Sequence, residues 1–379
     1  MYRKKIKLFV FFAVATMFFF MSDRSFSADD ADSRRPICEP ARGIENGLAP
    51  GSIGWKPEKS GGNEEHIFLI GFTDQGLEIF TTVFSFKWGP YHKYGYYSFL
   101  YENRTKKKWF VQGECENKVR KVSHDDVAVD CGTLSFTGKW PNYRLKISDS
   151  IFQADLNYTS IVPPFDSGVC YYTPEKDVFL SNMVFMPRGK LTGTITRDNV
   201  PVKVTGQTYG DYNHQNINPT RQGPFMLGVR VFPDSETPLD DQLYFNVSNS
   251  ALSEKYGGGF DKFAWLVRGD KMVGFTRNVK VNQTKEYTDP DTGYRYIRQA
   301  AIEARGKNFV ARGIFTVDEV IEVMDIFEWL PDWAKKIAQS FFKRPVYFRF
   351  LGDFTGSIEI DGNKKFVKQT TTAEMNFTQ

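Results

Sequence analysis

Short runs of alternating hydrophobic and polar residues, separated by turn-forming residues, occupy most of the chain. In one such run, Val200, Val202 and Val204 alternate with Lys203 and Thr205. Residues two apart in a strand lie on the same face of a sheet, so this period predicts a strand with one apolar face. Similar runs recur with turn signals about every 8 to 12 residues, which is typical of β-sandwiches and β-barrels. The pattern therefore predicts an all-β chain.

One segment near the C-terminal end has helical periodicity instead. The sequence Thr316-Val317-Asp318-Glu319 is a capping box, and apolar residues follow it at the spacing of one helix face. Pro331 ends or kinks this helix, and Asp332 can cap a second one. The predicted helical insertion covers residues 317–343. It is either a helix pair packed on a barrel wall or a lid or membrane-facing element that controls ligand access. Its apolar positions are Val320, Val323, Met324, Phe327, Leu330, Trp333, Ile337 and Phe341.

The first 28 residues have the order of a secretory signal peptide. A positive stretch ending at Lys7 precedes an uncharged apolar run from Leu8 to Met21, and small residues follow at Ser27 and Ala28. The apolar run is about fourteen residues long, whereas a membrane-spanning helix needs roughly 20. We therefore expect cleavage after Ser27 or Ala28 and an exported, periplasmic or extracellular protein, with an uncleaved anchor as the alternative. Residues 29–64, rich in Pro, Gly and charge, are predicted to form an extended N-terminal arm.

Composition narrows the class of partner. The net charge of the 379 residues is +4, and the four basic residues before Ser22 account for that much, so the mature chain is close to neutral. A nucleic-acid-binding protein would carry a basic stripe or domain, and no nucleic-acid partner is predicted. Aromatic residues make up 16% of the chain, with 35 Phe and 18 Tyr. They fit a large β core and the lining of an apolar pocket equally well.

The four cysteines predict two disulfides in an oxidising compartment. Cys115 and Cys131 flank a polar segment that resembles a hairpin, so we predict a disulfide between them. Cys38 would then form the second disulfide with Cys170 and attach the N-terminal arm. The chain has no Cys-x-x-Cys motif or Cys/His cluster of the kind that binds zinc. Neither a metal site nor a cofactor is predicted.

The densest polar segment of the second half is Gly206–Gln215, which directly follows the alternating run ending at Thr205. It is too polar for a core strand. Asp211 and Asn213 hydrogen-bond readily to their own backbone, so the segment is either a structural corner or a catalytic site.

Two stretches carry a resemblance to a known family. Residues Gly193–His214 and Pro345–Gly352 resemble the two-domain lipocalin-like superfamily that includes AttH-type secreted proteins, hydroxyneurosporene synthase (the carotenoid hydratase) and the fungal survival-factor proteins. The resemblance implies two consecutive lipocalin-like antiparallel β-barrels. With the helical insertion, they would cover residues 65–185 and 186–379.

The resemblance also implies a site. In the hydratase, the motif acids are thought to protonate an alkene carbon, and Asp211 occupies the position of such an acid. This chain has Tyr212 where the family has His, and His214 where the family often has Trp; either could hydrogen-bond to Asp211. Tyr209, Asn213 and Arg349 are the corresponding candidates for ligand binding.

Three functions remain open. The first is a protein that binds or carries a lipid or isoprenoid-like molecule in the cell envelope, since such molecules are insoluble in water and a lipocalin-like barrel has room for one. The resemblance to AttH-type proteins implies a membrane or membrane-transporter partner for it. The second is a hydratase or cyclase acting on a polyene or isoprenoid, with Asp211 as the general acid. The third is a structural or protein-binding envelope protein without a small ligand. Burial of Asp211 in a pocket would favour the enzyme, and exposure to solvent would exclude it.

Overall fold

The computed structural model describes residues 36–48, 64–88, 91–115, 127–173, 175–176, 178–216, 225–233, 236–251, 260–290, 293–325, 335–336 and 345–378. The predicted signal peptide lies outside these ranges, as does most of the predicted N-terminal arm. Within them, no helix has both the length and the hydropathy needed to span a bilayer.

The described chain consists almost entirely of antiparallel strands in two sheets. The first sheet contains β1 (Ile37–Cys38), β2 (Glu64–Thr73), β3 (Leu77–Trp88), β4 (Tyr91–Glu102), β5 (Lys108–Glu114), β6 (Val127–Asp130), β7 (Leu134–Lys139), β8 (Asn142–Ser148), β9 (Phe152–Ser160), β10 (Phe165–Asp166), β11 (Cys170–Tyr171), β12 (Phe179–Arg197) and β13 (Val200–Gln215). The second contains β14 (Phe225–Val231), β15 (Leu243–Ala251), β16 (Phe260–Arg268), β17 (Lys271–Thr276), β18 (Val279–Thr288), β19 (Arg295–Arg305), β20 (Phe309–Asp325), β21 (Pro345–Ile360) and β22 (Asn363–Thr378). The predicted all-β architecture is confirmed.

A long hairpin joins the two halves of the first sheet. Its strands β12 and β13 meet at Asp198 and Asn199, whose positive φ angles of 50° and 62° are those of a tight hairpin turn. The hairpin lies between β2 and β9, giving the order β5-β4-β3-β2-β13-β12-β9-β8-β7-β6. The predicted division between residues 185 and 186 therefore falls inside β12. The chain passes from the first sheet to the second between Gln215 and Phe225.

Three hydrophobic cores follow from the alternation of side chains. One face of the first sheet encloses a core that includes both Leu77 of β3 and Phe136 of β7, so the sheet curls enough to bring distant strands to one core. The second sheet, in the order β17-β16-β15-β14-β22-β21-β20-β19-β18, encloses a core of its own. The third core lies between the sheets and combines residues such as Phe68 and Tyr209 with Tyr244 and Trp265.

The prediction of a helix from residue 317 is wrong for residues 317–325, which continue β20. The pairing of β20 with β21 shifts register between Val317 and Glu319, and again between Val320 and Glu322. Each irregularity adds a residue on one side of the ladder. The strict alternation of apolar and polar residues is interrupted at these points. The apolar residues then recur at intervals that resemble one face of a helix. The rest of the predicted insertion, apart from Lys335 and Lys336, lies outside the described residues.

The structure contains both predicted disulfides, Cys38–Cys170 and Cys115–Cys131. The first ties β1 to β11, so it anchors the described part of the N-terminal arm. The second joins the residues that directly follow β5 and β6, the two terminal strands of the first sheet's order.

Candidate functional site

Strand β13 carries the candidate residues on two opposite faces. Tyr209, Asp211 and Asn213 are two residues apart in a continuous strand, so their side chains share one face. This face is turned toward the second sheet, because Asp211 lies beside Arg230 of β14. Tyr212 points the other way, into the core of the first sheet. The prediction that residues 206–215 are too polar for a core strand is therefore wrong, because they belong to β13 and residues 208–212 are buried. Their polar face meets charged groups of the second sheet as well as the aromatic core between the sheets.

Asp211 is the centre of a buried hydrogen-bonded group. Its Oδ2 accepts a hydrogen bond from the Tyr209 hydroxyl at 2.6 Å, and its Oδ1 accepts one from Asn213 Nδ2 at 2.6 Å. Asp211 is 2% exposed. Burial raises the pKa of Asp211 because the charged carboxylate loses its hydration, and the nearby Arg230 guanidinium and the Tyr209 hydrogen bond oppose this rise only in part.

Tyr212 and His214, the expected partners of Asp211, point away from it. Residues one and three positions further along a strand have their side chains on the opposite face. Tyr212 belongs to the first core, as described above. Nε2 of His214 lies 3.7 Å from Glu65 Oε1, and its ring packs edge-on against Phe179. Tyr209 and Asn213, the candidates for ligand binding, make the contacts with Asp211 that were expected of Tyr212 or His214.

A chain of alternating charges continues from Asp211 across the second sheet. Arg230 Nη2 lies 3.7 Å from Asp211 Oδ2, and Arg230 Nη1 lies 3.4 Å from Glu374 Oε2. Glu374 Oε1 is in turn 3.9 Å from Arg349 Nη2, and Arg349 Nε is 3.4 Å from Glu322 Oε2. The predicted ligand-binding residue Arg349 is therefore connected to Asp211 through two intermediate charges.

Glu78 is a further acid on this face of the first sheet. Its Oε1 accepts a hydrogen bond from Asn103 Nδ2 at 2.8 Å, and its Oε2 has no hydrogen-bond partner among the described residues. Burial raises the pKa of Glu78 to about 8, although Asn103 and Arg349 both act to lower it. We call Glu78, Asp211, Arg230, Glu322, Arg349 and Glu374 the inter-sheet cluster.

The inter-sheet cluster contains four carboxyl groups and two guanidinium groups. With every group ionised, the cluster would carry an excess of two negative charges in a dry environment, which is strongly unfavourable. The cluster is neutral when two of the carboxyl groups hold protons. Burial raises the pKa of Glu322 as well as those of Asp211 and Glu78. Burial therefore favours the protonated form of these three carboxyl groups.

Aromatic rings cover the cluster from both sheets. The Tyr209 ring stacks on Trp265 with centroids 6.1 Å apart, and Tyr244 stacks on Trp265 at 5.0 Å. The Arg349 guanidinium lies 4.0 Å from the centroid of Phe80, and that of Arg230 lies 4.8 Å from Tyr209. Ring faces carry partial negative charge and attract cations, so Phe80 and Tyr209 stabilise the two buried guanidinium groups.

The sequence contains a signal for the cluster residues that were not predicted. Arg230, Glu374 and Glu78 are single charges between two apolar residues of a strand, as in Val229-Arg230-Val231 and Ala373-Glu374-Met375. The apolar neighbours face the core of their own sheet, so the charge must point to the opposite side. Because several strands show this pattern, their outer faces meet something other than solvent.

Replacing Glu78 with Gln is expected to stabilise the protein increasingly as the pH rises. An unfolded Glu has a pKa of about 4.3, so between about pH 5 and 8 the folded state holds a proton that the unfolded state has lost. Wild-type stability therefore falls across this window, whereas Gln does not titrate. The variant should gain about 1.4 kcal/mol over wild type per pH unit in urea unfolding.

The matched control for Glu78 is Asp155→Asn. Asp155 is exposed and hydrogen-bonded to Arg144, which lowers its pKa, so it stays ionised throughout this window. The difference between this variant and wild type should stay constant from pH 5 to 8. Parallel curves for Glu78→Gln and wild type would mean that Glu78 carries no bound proton in the folded state.

Several solved structures are similar in fold to this chain. The AttH protein of Nitrosomonas europaea has a TM-score of 0.57 at 14% identity, with 88% of this chain and 100% of that chain covered. Kievitone hydratase from Nectria haematococca has a TM-score of 0.53 at 10% identity, covering 90% and 96%. CghA with Sch210972 has a TM-score of 0.59 at 10% identity, covering 89% and 97%.

At these identities the similarity establishes a shared fold. The chain therefore shares the two-sheet, lipocalin-like fold of the AttH, kievitone hydratase and CghA structures, and the similarity covers 88–90% of its length. No protein-family model and no curated protein sequence matches it. The fold expected from the motif around Asp211 is confirmed, while the role of each residue rests on the geometry of the inter-sheet cluster.

Proposed function

We propose that the protein is an exported enzyme of the hydratase or cyclase kind, which transfers a proton to an unsaturated, hydrophobic ligand bound between its two sheets. The observation that carries this proposal is the burial of Asp211 in hydrogen-bonding contact with Tyr209, at a face that pairs four carboxyl groups with only two guanidinium groups. Kievitone hydratase shares the fold and is by name a hydratase.

The reaction needs a proton donor, a surface for the cation and a proton acceptor. The Asp211–Tyr209 couple donates a proton to one alkene carbon, which leaves positive charge on the neighbouring carbon. The rings of Tyr209, Tyr244 and Trp265 stabilise that charge. Addition of water and return of one proton to the couple complete a hydration. Attack by a second double bond, followed by proton loss to the couple, completes a cyclisation.

Two features support export. Two disulfides persist only in an oxidising compartment, and the chain begins with the pattern of a signal peptide. The location is the periplasm or the extracellular space. A partner in the membrane stays a prediction that rests on the resemblance to AttH-type proteins.

The second candidate is a carrier, and the stacked rings between the sheets favour it. Tyr209, Tyr244 and Trp265 offer an apolar, flat surface that would hold a lipid or isoprenoid without changing it. A carrier of a hydrocarbon requires an apolar surface alone, however. Four buried carboxyl groups add a desolvation cost without a benefit for that task, so we rank the enzyme first.

Proton transfer in D₂O separates these candidates. The mature protein is incubated in D₂O with an organic extract of its host, and the ligand that co-purifies with the protein is analysed by mass spectrometry. Incorporation of deuterium at carbon, or a gain of D₂O, supports the enzyme. A ligand that binds in stoichiometric amounts and is recovered without deuterium indicates the carrier. Absence of any ligand leaves the structural or protein-binding hypothesis.

A further inference from the structure

The two sulfur atoms of the Cys38–Cys170 disulfide differ in their surroundings. Cys170 is 2% exposed, whereas Cys38, on the short strand β1, is half-buried. Cys170 Sγ lies 3.8 Å from Oδ1 of Asp261, a residue of β16 in the second sheet. A reagent from solvent can therefore reach Cys38 more readily than Cys170. The buried sulfur, which belongs to the first sheet, borders a carboxyl group of the second.

Asp261 is held in position by an arginine of its own sheet. Its Oδ1 accepts a hydrogen bond from Arg277 Nη1 at 2.7 Å, and Arg277 Nη2 donates to the backbone oxygen of Ser167, between β10 and β11, at 2.8 Å. Asp261 is 5% exposed, and burial raises its pKa, although Arg277 opposes the rise. A carboxylate with a raised pKa is a stronger base than an exposed one, so it accepts a proton more readily from a neighbouring thiol.

The Cys115–Cys131 disulfide has a different setting. Among the described residues, Cys38, Cys170 and Asp261 form the one group in which a carboxyl oxygen lies close to two cysteine sulfurs. Cys115 and Cys131 are also only 16 residues apart, against 132 for the other pair. In an unfolded chain, this difference makes contact between Cys115 and Cys131 about twentyfold more frequent. Closure of Cys38–Cys170 therefore depends more strongly on the folded structure.

We propose that Asp261 is the general base for closure of the Cys38–Cys170 disulfide, and that this bond forms after the second sheet has docked on the first. The nucleophile in disulfide exchange is the thiolate, so a buried thiol reacts slowly until a base removes its proton. Cys170 acquires this base only when β16 reaches the first sheet. The disulfide thus attaches the N-terminal arm to a chain that is already assembled, whatever ligand the protein binds.

The exchange needs an oxidant that is itself a disulfide, such as oxidised glutathione or an oxidised thiol oxidoreductase. Cys38 loses its proton to water and attacks this oxidant, which gives a mixed disulfide at Cys38 and releases one thiolate. Asp261 then takes the proton of the Cys170 thiol and passes it to water, while Cys170 Sγ attacks Cys38 Sγ. The bond from Cys38 to the oxidant breaks, and the second oxidant sulfur leaves as a thiolate. Two electrons pass from the two cysteines to the oxidant.

Oxidative refolding of the mature protein tests this assignment. The protein is reduced in urea and diluted into buffer with reduced and oxidised glutathione. Free thiols are alkylated at intervals, and each cysteine is quantified by peptide mass spectrometry. In Asp261→Asn, closure from the mixed disulfide should be about 100-fold slower than in wild type, so glutathione should accumulate on Cys38. Closure of Cys115–Cys131 in the same molecules should keep its wild-type rate.

The matched control is Asp241→Asn. Asp241 also pairs with an arginine of the second sheet, Arg268, but both side chains are about half exposed. This variant should leave both closure rates unchanged. An unchanged or faster closure of Cys38–Cys170 in Asp261→Asn would overturn the proposal. A faster rate would mean that the carboxylate only repels the attacking thiolate.

Near-UV circular dichroism keeps the test decisive if Asp261→Asn docks poorly. Trp265 packs in the core between the sheets, so its signal reports docking. In wild type this signal should appear before Cys38–Cys170 closes, and closure that precedes docking contradicts the proposal. Asp261→Glu keeps a carboxyl group, so its docked molecules should close this disulfide faster than those of Asp261→Asn. Equal rates in the docked molecules of the two variants would also reject Asp261 as the base.

Discussion

The Asp211→Asn variant is expected to transfer protons about 100- to 10,000-fold more slowly than wild type while still binding its ligand. An amide has the shape of a carboxyl group and can still accept the hydrogen bond from Tyr209, but it cannot supply an acidic proton. Removal of the acid should therefore affect the rate of deuterium incorporation at carbon and leave the amount of bound ligand close to that of wild type.

The control is the same substitution elsewhere on the same hairpin. Asp198→Asn lies in the exposed turn between β12 and β13, where Asn also tolerates the positive φ angle. This variant should retain the wild-type rate. If Asp211→Asn incorporates deuterium at the wild-type rate, another group of the cluster is the acid. If it no longer binds ligand, Asp211 has a structural role, and the proposed chemistry loses its main support.

Replacement of Arg349 with Met is expected to lower the free energy of unfolding by about 3–5 kcal/mol at neutral pH. The guanidinium is fully buried between Glu322 and Glu374, so its loss leaves Glu322 without a counter-charge and leaves Glu374 with Arg230 alone. Urea unfolding measures the effect. The loss should shrink toward pH 5, because protonation removes the charge of Glu322, whose pKa is already raised by burial.

An exposed ion pair provides the comparison. Arg144 makes two hydrogen bonds to Asp155, but both side chains are about half exposed, so Arg144→Met should cost far less stability than Arg349→Met. The double variant Arg349→Met with Glu322→Gln should recover part of the stability lost in Arg349→Met, because it removes the carboxylate that Arg349 neutralises. Similar costs for Arg349→Met and Arg144→Met would contradict the picture of a desolvated charge chain.

Several elements could be predicted from local sequence because local rules determine them. The alternation of Val200, Val202 and Val204 is enough to predict a strand, and an even number of cysteines with one hairpin-like spacing is enough to pair the disulfides. The predicted helix at residues 317–325 shows the limit. Two irregularities in the β20–β21 ladder produce apolar spacing that a helix would also produce, and pairing between distant strands is not visible in local periodicity.

Local sequence could likewise predict only those candidate residues that lie on one strand. Asp211, Tyr209 and Asn213 lie on one strand, so their grouping depends on local sequence alone. Arg230 and Glu374 reach Asp211 from two strands of the other sheet, which only the packing of the two sheets brings together. Tyr212 is expected as a partner because it stands directly after Asp211, where the family motif has His. In a strand, adjacent residues point to opposite faces.

The position of the Cys115–Cys131 disulfide has a consequence for production of the protein. It links the ends of β5 and β6, the outermost strands of the first sheet. Outermost strands can pair with strands of other chains when nothing holds them in place, which is a common route to aggregation. In a reducing cytosol this link would not form. Recombinant protein made in a reducing cytosol would therefore tend to accumulate as inclusion bodies, whereas production in an oxidising compartment would yield soluble material.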